Sequence, residues 1–131
     1  MEYRGTASTF VTRLGSFEIA GTGFNTDTAI QRGFEPVNGR ITSKVRPEYY
    51  PDNAEIAVKI IFDKNSGLIL GAQCAGSEGA ASRINIISMA VEFGITIDEL
   101  WRVELAYCPS VSEVYDPLLR AADIGLRRLK K

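Results

Sequence analysis

A polar turn between two apolar runs constrains the fold of this chain more than any other feature of the sequence. The segment 63–67, Asp-Lys-Asn-Ser-Gly, separates the run 55–62 from the run 68–75. Asparagine and glycine accept the backbone conformations of tight turns at low cost, so this arrangement is typical of a β-hairpin. The first run alternates with a period of two residues, and one of its faces is formed by Ile56, Val58 and Ile60. The sequence therefore predicts a pair of antiparallel strands in the middle of the chain.

The chain before this hairpin is also predicted to be extended. Residues 8–14 alternate between two faces, and a glycine–serine turn separates them from a second strand at 17–20, which the segment 21–23 closes. Residues 37–45 are interpreted as a polar strand or an extended loop. The segment 46–51 contains two prolines, which cannot pair within a central strand, and it is therefore predicted to be a rigid loop.

Two short helices are predicted from their capping residues. The first has Asn25 or Thr26 as its N-cap and ends at Gly33, because glycine readily adopts the left-handed conformation found at helix C-termini. The second follows Thr96, whose spacing from Glu99 is that of a capping box.

Two longer helices follow the hairpin. The first is predicted to begin at Ser77 or Glu78 and to stop at Gly94. The last is predicted to have Asp116 as its N-cap and Pro117 at its first helical position. Each carries apolar residues at helical spacing, and the stripe of the first helix is expected to pack on the sheet. The two stripes are Ala80, Ile84, Ile87, Met89, Val91 and Phe93 in the first helix, and Leu118, Leu119, Ala122, Leu126 and Leu129 in the last.

Strands therefore come first and helices come after them. This order predicts an α+β fold, with an antiparallel β-sheet and helices packed on one face. A length of 131 residues is that of one domain, residues 1–131, and it allows a substantial core. Apolar residues make up 45% and charged residues 24%, a balance that favours a globular protein over a disordered or fibrous one.

Charge and hydropathy exclude several classes of partner. The 15 basic and 16 acidic residues give a formal net charge of −1, so no nucleic-acid-binding surface is predicted. The basic cluster in 127–131 is interpreted as favourable charge at a helix C-terminus. No apolar run is long enough to span a bilayer, and the N-terminus lacks the apolar stretch of a signal peptide. Because two cysteines do not form a secreted disulfide framework, a cytoplasmic protein without membrane or nucleic-acid partners is expected.

The chain contains no histidine, which limits the chemistry that it can perform alone. Histidine is the commonest general base and the commonest zinc ligand, so no metal site is predicted. The carboxylates of Glu78, Glu104 and Glu113 are interpreted as helix-capping or solvated groups, because nothing pairs them for acid–base work.

Four glycines at first suggest phosphate-binding loops. Gly21 and Gly23 form one pair, and Gly76 and Gly79 form the other. Neither pair matches the dinucleotide-binding fingerprint or the P-loop. They are therefore interpreted as turn glycines.

Cys108 is the residue with the most reactive chemistry. It lies in a loop beside a proline and shortly before a helix, where a helix dipole would stabilise a thiolate that acts as a nucleophile or redox group. The alternative is a small, partly buried residue in a tight loop, since no histidine is present to activate it. Cys74, at the end of an apolar strand, is interpreted as a core residue. A free-standing thiol enzyme built on Cys108 is accordingly one hypothesis.

Tyr49 and Tyr50 are flanked by prolines in the predicted rigid loop. Adjacent side chains of an extended segment point in opposite directions, so at least one of the two is expected to reach outward. An outward tyrosine suits a binding interface because it is large, fairly rigid and amphipathic. Interface and core remain alternatives for this pair.

Seven segments occur here in an order that resembles a known family. They are 4–7, 21–24 with 33–34, 49–51, 63–67 with 69–73, 76–79 with 83–84, 105–109, and 116–117. Together they resemble the C-terminal dimerisation domain of the pyridine nucleotide–disulfide oxidoreductases over nearly the whole chain. The turn at 63–67 with the strand after it is the most specific match. The Tyr-Tyr-Pro segment at 49–51 is similar to a motif of the branch that holds coenzyme A-disulfide reductases, NADH oxidases and NADH peroxidases.

The resemblance implies a role for particular residues. Enzymes of this family are homodimers that contain FAD and use NADH or NADPH, and their C-terminal domain forms most of the dimer interface. It implies that the loop with Tyr107, Cys108 and Pro109 lies against the flavin and active site of the partner subunit. Tyr50, Tyr107 and Cys108 are the implied catalytic candidates, and Cys108 and Pro109 are implied to lie near the partner's FAD. In the glutathione-reductase branch, the place of Cys108 holds a catalytic histidine.

The resemblance also places the cofactor-binding domains upstream of this chain. The nucleotide-binding glycine motifs and the redox-active cysteine of such enzymes are absent from the sequence. Met1, just before the domain, is expected to mark an expressed fragment or a gene that encodes only this module. Alone, the chain is expected neither to bind FAD nor to turn over substrate. The prediction is a homodimer with an apolar, aromatic-bearing interface, and the alternative is a stand-alone binding or regulatory module that reuses the fold.

Overall fold

The computed structural model describes residues 5–130, so Arg4 of the first motif and Lys131 of the basic cluster lie outside the described part. Within these residues, five strands form a sheet in which every neighbouring pair is antiparallel. The strands are β1 (Phe10–Leu14), β2 (Phe17–Gly23), β3 (Pro36–Lys44), β4 (Glu55–Asp63) and β5 (Ile69–Gly76). The helices of the same part are α1 (Thr26–Gln31), α2 (Ala80–Glu92), α3 (Ile97–Trp101) and α4 (Pro117–Leu129).

The predicted hairpin is confirmed as the pair β4 and β5. Its turn is closed by the carboxylate of Asp63, which accepts hydrogen bonds from the backbone amide and the hydroxyl of Ser66 at 2.9 and 2.7 Å. A third bond, at 3.1 Å, comes from the backbone amide of Glu35. Gly67 has a φ of 74°, a left-handed conformation that glycine adopts without steric cost. The polar residues of the turn thus bond with one another while the flanking runs pair.

The hairpin occupies the middle of the sheet. The strand order is β1-β2-β5-β4-β3, because β4 also pairs with β3 and β5 also pairs with β2. Residues 37–45, for which the sequence analysis gives a polar strand or an extended loop, lie mostly in strand β3. This strand pairs with β4 from Pro36, opposite Asp63, to Lys44, opposite Glu55. Strands β1 and β3 therefore form the two edges.

Strand β2 is longer than predicted, since it continues through Gly23 instead of ending at Ala20. The interpretation of Gly21 and Gly76 as turn glycines is wrong, because both lie within strands. A Cβ atom on Gly21 would lie 2.8 Å from the ring of Phe10, and one on Gly76 would lie 2.6 Å from the carbonyl oxygen of Glu55. These glycines allow close packing across the sheet.

The main core lies between one face of the sheet and the helices α2 and α4. The alternation predicted for β4 is confirmed, because one face of this strand is almost completely buried. The core side chains of β4, α2 and α4 include Ile56, Val58, Ile60, Phe62, Ile84, Ile87, Leu118 and Ala122. The predicted α+β class is confirmed.

Helix α1 covers part of the opposite face of the sheet. Ile61 follows Ile60 in β4 and points the other way, so it joins a second apolar cluster with Ala29 of α1 and Leu70 of β5. Asn25 is the N-cap and accepts a hydrogen bond from the backbone amide of Thr28 at 2.8 Å. The sheet is therefore covered by α2 and α4 on one face and in part by α1 on the other, whereas the edge strand β1 stays exposed.

Helix α2 begins at Ala80, later than the predicted Ser77 or Glu78, because Gly79 has a φ of 78° and interrupts helical backbone. The apolar stripe predicted for this helix is partly wrong. Met89 and Phe93 are exposed, and the buried positions are Ala80, Arg83, Ile84, Ile87 and Ala90. Met89 comes two positions after Ile87, a spacing that places the two side chains on different faces of a helix.

Helix α4 starts as predicted, with Asp116 as its N-cap and Pro117 at its first position. The Asp116 carboxylate accepts the backbone amide of Leu118 at 2.8 Å. Gly39 of β3 lets this helix approach the sheet closely, because a Cβ atom on this residue would lie 1.9 Å from the Ala121 carbonyl oxygen. The capping box of α3 is also confirmed.

A buried ion pair joins the N-terminal ends of α2 and α4. Arg83 Nε and Nη2 donate to the two carboxylate oxygens of Asp116 at 3.0 and 2.7 Å, and Nη1 donates to the Gly79 carbonyl at 3.0 Å. Both side chains are almost completely buried. Asp116 therefore caps one helix and neutralises a cation on the other, a second role that the sequence analysis does not predict.

Candidate functional site

Three segments that are distant in the sequence meet around the side chain of Arg46. They are the tyrosine loop (residues 46–53), the C-terminal loop (residues 102–115) and the turn that carries Glu78. Arg46 Nη2 lies 2.5 and 2.6 Å from the two carboxylate oxygens of Glu78. Its Nε donates to the carbonyl oxygen of Ser110 at 2.8 Å. The Arg46 side chain is 15% exposed, so one half-enclosed cation links all three segments.

The tyrosine loop is held in shape from within. The side-chain amide of Asn53 donates to the carbonyl oxygens of Arg46 and Pro47 at 2.7 and 2.8 Å, and its oxygen accepts the backbone amide of Arg46 at 2.9 Å. The amide of Tyr50 donates to the Pro47 carbonyl at 2.9 Å. The guanidinium of Arg46 lies 5.8 Å from the ring centroid of Tyr50, within the range of a cation–π contact. The prediction that this segment is a loop and not a central strand is confirmed.

The C-terminal loop forms a tight turn around Cys108. The backbone amides of Val111 and Ser112 both donate to the carbonyl oxygen of Cys108 at 2.8 Å. The hydroxyl of Ser112 accepts the amide of Cys108 at 3.4 Å and donates to the Ala106 carbonyl at 3.0 Å. These bonds lie within seven residues of sequence, so they define the local turn and not its place on the domain.

Cys108 is exposed at the tip of this turn. Its sulfur lies 3.3 Å from the hydroxyl oxygen of Ser110. The hydroxyl of Ser110, and then its backbone amide, lower the pKa of the Cys108 thiol. The prediction that a helix dipole acts on this thiol is wrong in its physical cause, because α4 begins only at Pro117. The alternative of a partly buried residue is also wrong, since the side chain faces outward.

Cys74 has the opposite environment. It lies in β5 within the main core, and burial raises the pKa of its thiol to about 12. It is therefore an inert core residue at neutral pH, as the sequence analysis predicts.

The predicted tyrosines occupy neighbouring positions around the two loops. Tyr49 and Tyr107 are exposed, whereas Tyr50 is half-buried beside Arg46. Partial burial of the phenol, and then the neighbouring Tyr49, raise the pKa of Tyr107. The expectation that one of Tyr49 and Tyr50 reaches outward is confirmed for Tyr49. Pro109, half-buried, completes the set of predicted site residues in this cluster.

Arg46 and Glu78 are site residues that the sequence analysis misses. The interpretation of Glu78 as a solvated carboxylate is incomplete, because Arg46 binds both of its oxygens while the side chain stays 45% exposed. Thirty-two residues separate the two in sequence, and 64 separate Arg46 from Ser110. No local pattern reports contacts over such distances. The available hint is an arginine directly before a Pro-containing aromatic loop.

A groove of about 360 Å³ lies between the first turn of α2 and the C-terminal loop. Its lining includes Glu78, Arg83, Ile86, Ala106, Val111 and Ser112. Three charged residues line the groove and all are already paired, Glu78 with Arg46 and Arg83 with Asp116. One wall of the groove is thus polar, with its charged groups already paired, and the other wall is apolar.

The same two loops carry large apolar side chains that face solvent. They are Tyr49, Val103, Tyr107, Val111, Val114 and Tyr115. An exposed contiguous apolar patch larger than a few hundred Å² is uncommon on a monomeric protein and marks an interaction site. This feature marks the region as a candidate contact surface.

The described residues do not fit a bound dinucleotide. A helix N-terminus that cradles a pyrophosphate needs free backbone amides. In α2, the amide of Ala80 donates to a carboxylate oxygen of Glu18 at 3.1 Å, and α4 is capped by Asp116. A Cβ atom on Gly23 would meet the Leu70 carbonyl oxygen at 2.2 Å, so this glycine serves close backbone packing. The pattern gives no glycine-rich phosphate cradle within residues 5–130.

Two further features are absent from the described residues. Residues 5–130 hold no cluster of three or more histidine, cysteine, aspartate or glutamate side chains able to bind a metal ion. In the same residues, no helix has both the length and the apolar character needed to cross a bilayer.

Comparison with known proteins gives a consistent result. Residues 8–118 match the family described as pyridine nucleotide-disulphide oxidoreductase, dimerisation domain. The chain is 37% identical over 119 residues to an NADH oxidase of Methanocaldococcus jannaschii, a match that covers 91% of this chain and 26% of that protein. It is 31% identical over 124 residues to an NAD(P)H coenzyme A polysulfide/persulfide reductase of Pyrococcus horikoshii, covering 95% and 28%.

A solved structure shares the same fold. The structure of an NAD-dependent persulfide reductase from A. fulgidus superposes with a TM-score of 0.92 at 31% identity, and the match covers 98% of this chain and 24% of that one. The chain therefore spans about a quarter of the length of the relatives that it matches.

Proposed function

The chain belongs to the pyridine nucleotide-disulphide oxidoreductase family as its dimerisation domain, and from this premise we propose that it forms the homodimer interface of a longer FAD-dependent NAD(P)H oxidoreductase. The enzyme is of the NADH oxidase or coenzyme A-disulfide reductase type. Relatives named NADH oxidase and coenzyme A disulfide reductase, which match 91% and 88% of this chain, support that branch.

The observation that carries the proposal is the set of exposed apolar side chains on the two loops around Arg46. Tyr49, Tyr107, Val111 and Val114 face solvent there, although the loop backbone is well anchored. A stable protein interface buries about 800 Å² on each partner and is enriched in aromatic residues. Ordered loops with outward aromatic and aliphatic groups have the composition of such an interface.

A second part of the proposal concerns the active site. The C-terminal loop contributes Tyr107, Cys108 and Pro109 to the active site of the partner subunit, where Cys108 and Pro109 lie near the partner's FAD. Tyr50 acts from the neighbouring loop on the same site. The exposure of Cys108 and Tyr107 at the loop surface supports this role, because a group that serves another subunit has to project outward.

FAD, which accepts and passes on electrons from NAD(P)H, is held by domains upstream of this chain. The residues described here do not fit a dinucleotide, so we assign them no binding role of that kind. Within the chain, the hydroxyl and then the backbone amide of Ser110 lower the pKa of the Cys108 thiol, which favours the thiolate form. Tyr50 and Tyr107 offer phenolic hydroxyls that donate hydrogen bonds to a substrate.

We also propose a cytoplasmic location. Cys74 and Cys108 are both free, one in the core and the other on the surface. Free surface thiols persist in compartments that are kept reducing.

The test of the dimer is the solution mass of the chain, measured by light scattering over a concentration series. We expect a dimer that dissociates on dilution. Val111→Glu is expected to raise the dimer dissociation constant about tenfold or more, because it places a charge in a desolvated contact. Met89→Glu is the matched control, since the two positions are 63% and 64% exposed and Met89 lies on α2, outside both loops.

A monomer at every concentration contradicts the homodimer and favours the stand-alone module. A dimer that Met89→Glu weakens as much as Val111→Glu contradicts the assignment of the interface to the loops.

A further inference from the structure

Arg46 holds the C-terminal loop on the body of the domain. Among residues 5–130, the other hydrogen bonds of residues 104–112 stay within that segment, apart from the approach of Tyr107 to Tyr49. Besides that approach, the hydrogen bond from Arg46 Nε to the Ser110 carbonyl, at 2.8 Å, connects residues 104–112 to the rest of the domain. At the C-terminal end, the amide of Glu113 donates to the Val45 carbonyl at 2.9 Å, one residue before Arg46.

The same guanidinium is itself held in one orientation. Glu78 binds Nη2 through both carboxylate oxygens, and the Asp52 carbonyl lies 3.4 Å from Nη1. A planar guanidinium donates in fixed directions, so its position towards Glu78 also determines where Nε points. A lysine ammonium at this place lacks the planar set of N–H donors with which the guanidinium binds Glu78 and Ser110 at the same time.

The guanidinium also contacts one of the candidate tyrosines. Its carbon lies 5.8 Å from the ring centroid of Tyr50, while Nε holds the residue two positions after Cys108. One side chain thereby sets the separation between the tyrosine loop and the tip of the C-terminal loop.

We propose that Arg46 is a positioning residue, oriented by Glu78, which fixes the Cys108-Pro109 tip relative to Tyr50. The inference deepens the proposed function and rests on it for the meaning of these loops in catalysis. The positioning itself concerns contacts within one chain. It can therefore be tested without a partner subunit, a cofactor or turnover.

The first readout is the pH–rate profile for alkylation of Cys108 by iodoacetamide. Cys74 is buried and serves as the unreactive internal standard. In Arg46→Met, the Ser110 carbonyl loses its bond to the domain, so the tip that carries the contact between the Ser110 hydroxyl and the Cys108 sulfur is no longer held in one arrangement. We expect alkylation of Cys108 near neutral pH to slow about three- to tenfold, because the reaction rate follows the thiolate fraction.

Arg46→Lys separates positioning from charge. It keeps the positive charge but not the fork, so a positioning role predicts a profile close to that of Arg46→Met. A profile equal to that of the unchanged chain would show that only the charge matters and would overturn the proposal. Glu78→Gln, which keeps Arg46 but weakens its orientation, is expected to shift the profile in the same direction by a smaller factor, and it serves if an Arg46 variant does not fold.

The second readout is limited proteolysis of residues 104–112. We expect cleavage there to accelerate about tenfold in Arg46→Met, since cleavage follows local opening of the loop. Lys44→Met is the matched control, because Lys44 contacts Glu55 at 3.2 Å and the Asn53 carbonyl at 3.5 Å and, among residues 5–130, has no hydrogen bond to the C-terminal loop. Equal proteolysis of both variants would also overturn the proposal. Because the proposed dimer interface includes this loop, the solution mass is measured in parallel and shows whether a change in alkylation or cleavage accompanies a change in dimerisation.

Discussion

The β4–β5 hairpin and the two loops around Arg46 differ in what holds their backbone in place. In the hairpin, a turn closed by Asp63 joins strands whose large apolar residues are buried. In the loops, apolar residues such as Val111 and Val114 are exposed, and Arg46 supplies the contact between segments. Burial stabilises the first region, whereas hydrogen bonds over long sequence distances order the second. The difference teaches that the loops can be ordered while their side chains stay available to a partner.

The first and largest expected effect tests whether stability resides in the hairpin region. Phe62→Ala empties a completely buried site between the sheet and α4. We expect it to lower the free energy of unfolding by about 3–5 kcal/mol, from lost burial and the cavity left behind. Val111→Ala in the loops is the control, and it is expected to stay within about 0.5 kcal/mol. Urea unfolding measures both, and similar losses would contradict the contrast.

The second prediction compares the buried ion pair between Arg83 and Asp116 with the more exposed pair between Arg46 and Glu78. Asp116 lies directly after the C-terminal loop and pairs with buried Arg83. Asp116→Asn keeps a helix cap but leaves the guanidinium without a counter-charge, and it is expected to cost about 3 kcal/mol. Glu78→Gln removes the charge from the more exposed pair with Arg46 and is expected to cost about 1 kcal/mol or less. Thermal or urea unfolding of the two variants compares them directly, and the reverse order would sink the interpretation.

The third prediction uses acid to weaken the hairpin turn. Hydrogen bonds from the hydroxyl and then the amide of Ser66 lower the pKa of Asp63. A carboxyl group with a lower pKa in the folded state stabilises the fold above its unfolded pKa, of about 4. That stability is lost as pH falls from there through the lower folded value. Asp63→Asn should reduce this acid-dependent loss, and at neutral pH it should cost about 1–2 kcal/mol.

Unfolding midpoints from pH 2 to 7 test this prediction. If Asp63→Asn and the unchanged chain lose stability in parallel below pH 4, the turn carboxylate contributes nothing specific to the acid response.

The smallest expected effect on stability lies at the loop tip, where a chemical readout is more sensitive. Ser110→Ala removes the hydroxyl that lowers the pKa of Cys108. The thiolate fraction near neutral pH then falls, so alkylation should slow while the unfolding midpoint hardly changes. Cys74, with a pKa of about 12, should remain unlabelled in the folded chain. Labelling at a rate equal to that of the unchanged chain would show that Ser110 does not tune this thiol.

Local sequence patterns predicted the elements of the fold well. The turn at 63–67, the capping box at Thr96, and the start of α4 at Asp116 and Pro117 are all confirmed. Each depends on contacts between residues only a few positions apart. The start of α2 was misplaced, because the left-handed Gly79 interrupts the helix where composition alone favours it.

The face of α2 was predicted only in part, for a reason of the same kind. Helical spacing identifies a stripe, but a charged residue such as Arg83 is scored as exposed by hydropathy. Its burial is stabilised by Asp116, 33 residues away, and it takes a place in the buried face that Met89 does not have. The hydrophobic periodicity of a helix carries no information about pairing over such a distance in sequence.

The sequence by itself determined most of the secondary-structure elements, the α+β class and the set of residues that make the loops distinctive. Tertiary structure alone decided the middle position of the hairpin in the sheet, the exposure of Met89 and Phe93, and the meeting of Arg46, Glu78 and Ser110. The physical reason is range. Turns, caps and amphipathic periods are settled by neighbours along the chain, whereas an ion pair across 32 residues forms only when the packed core has brought its two ends together.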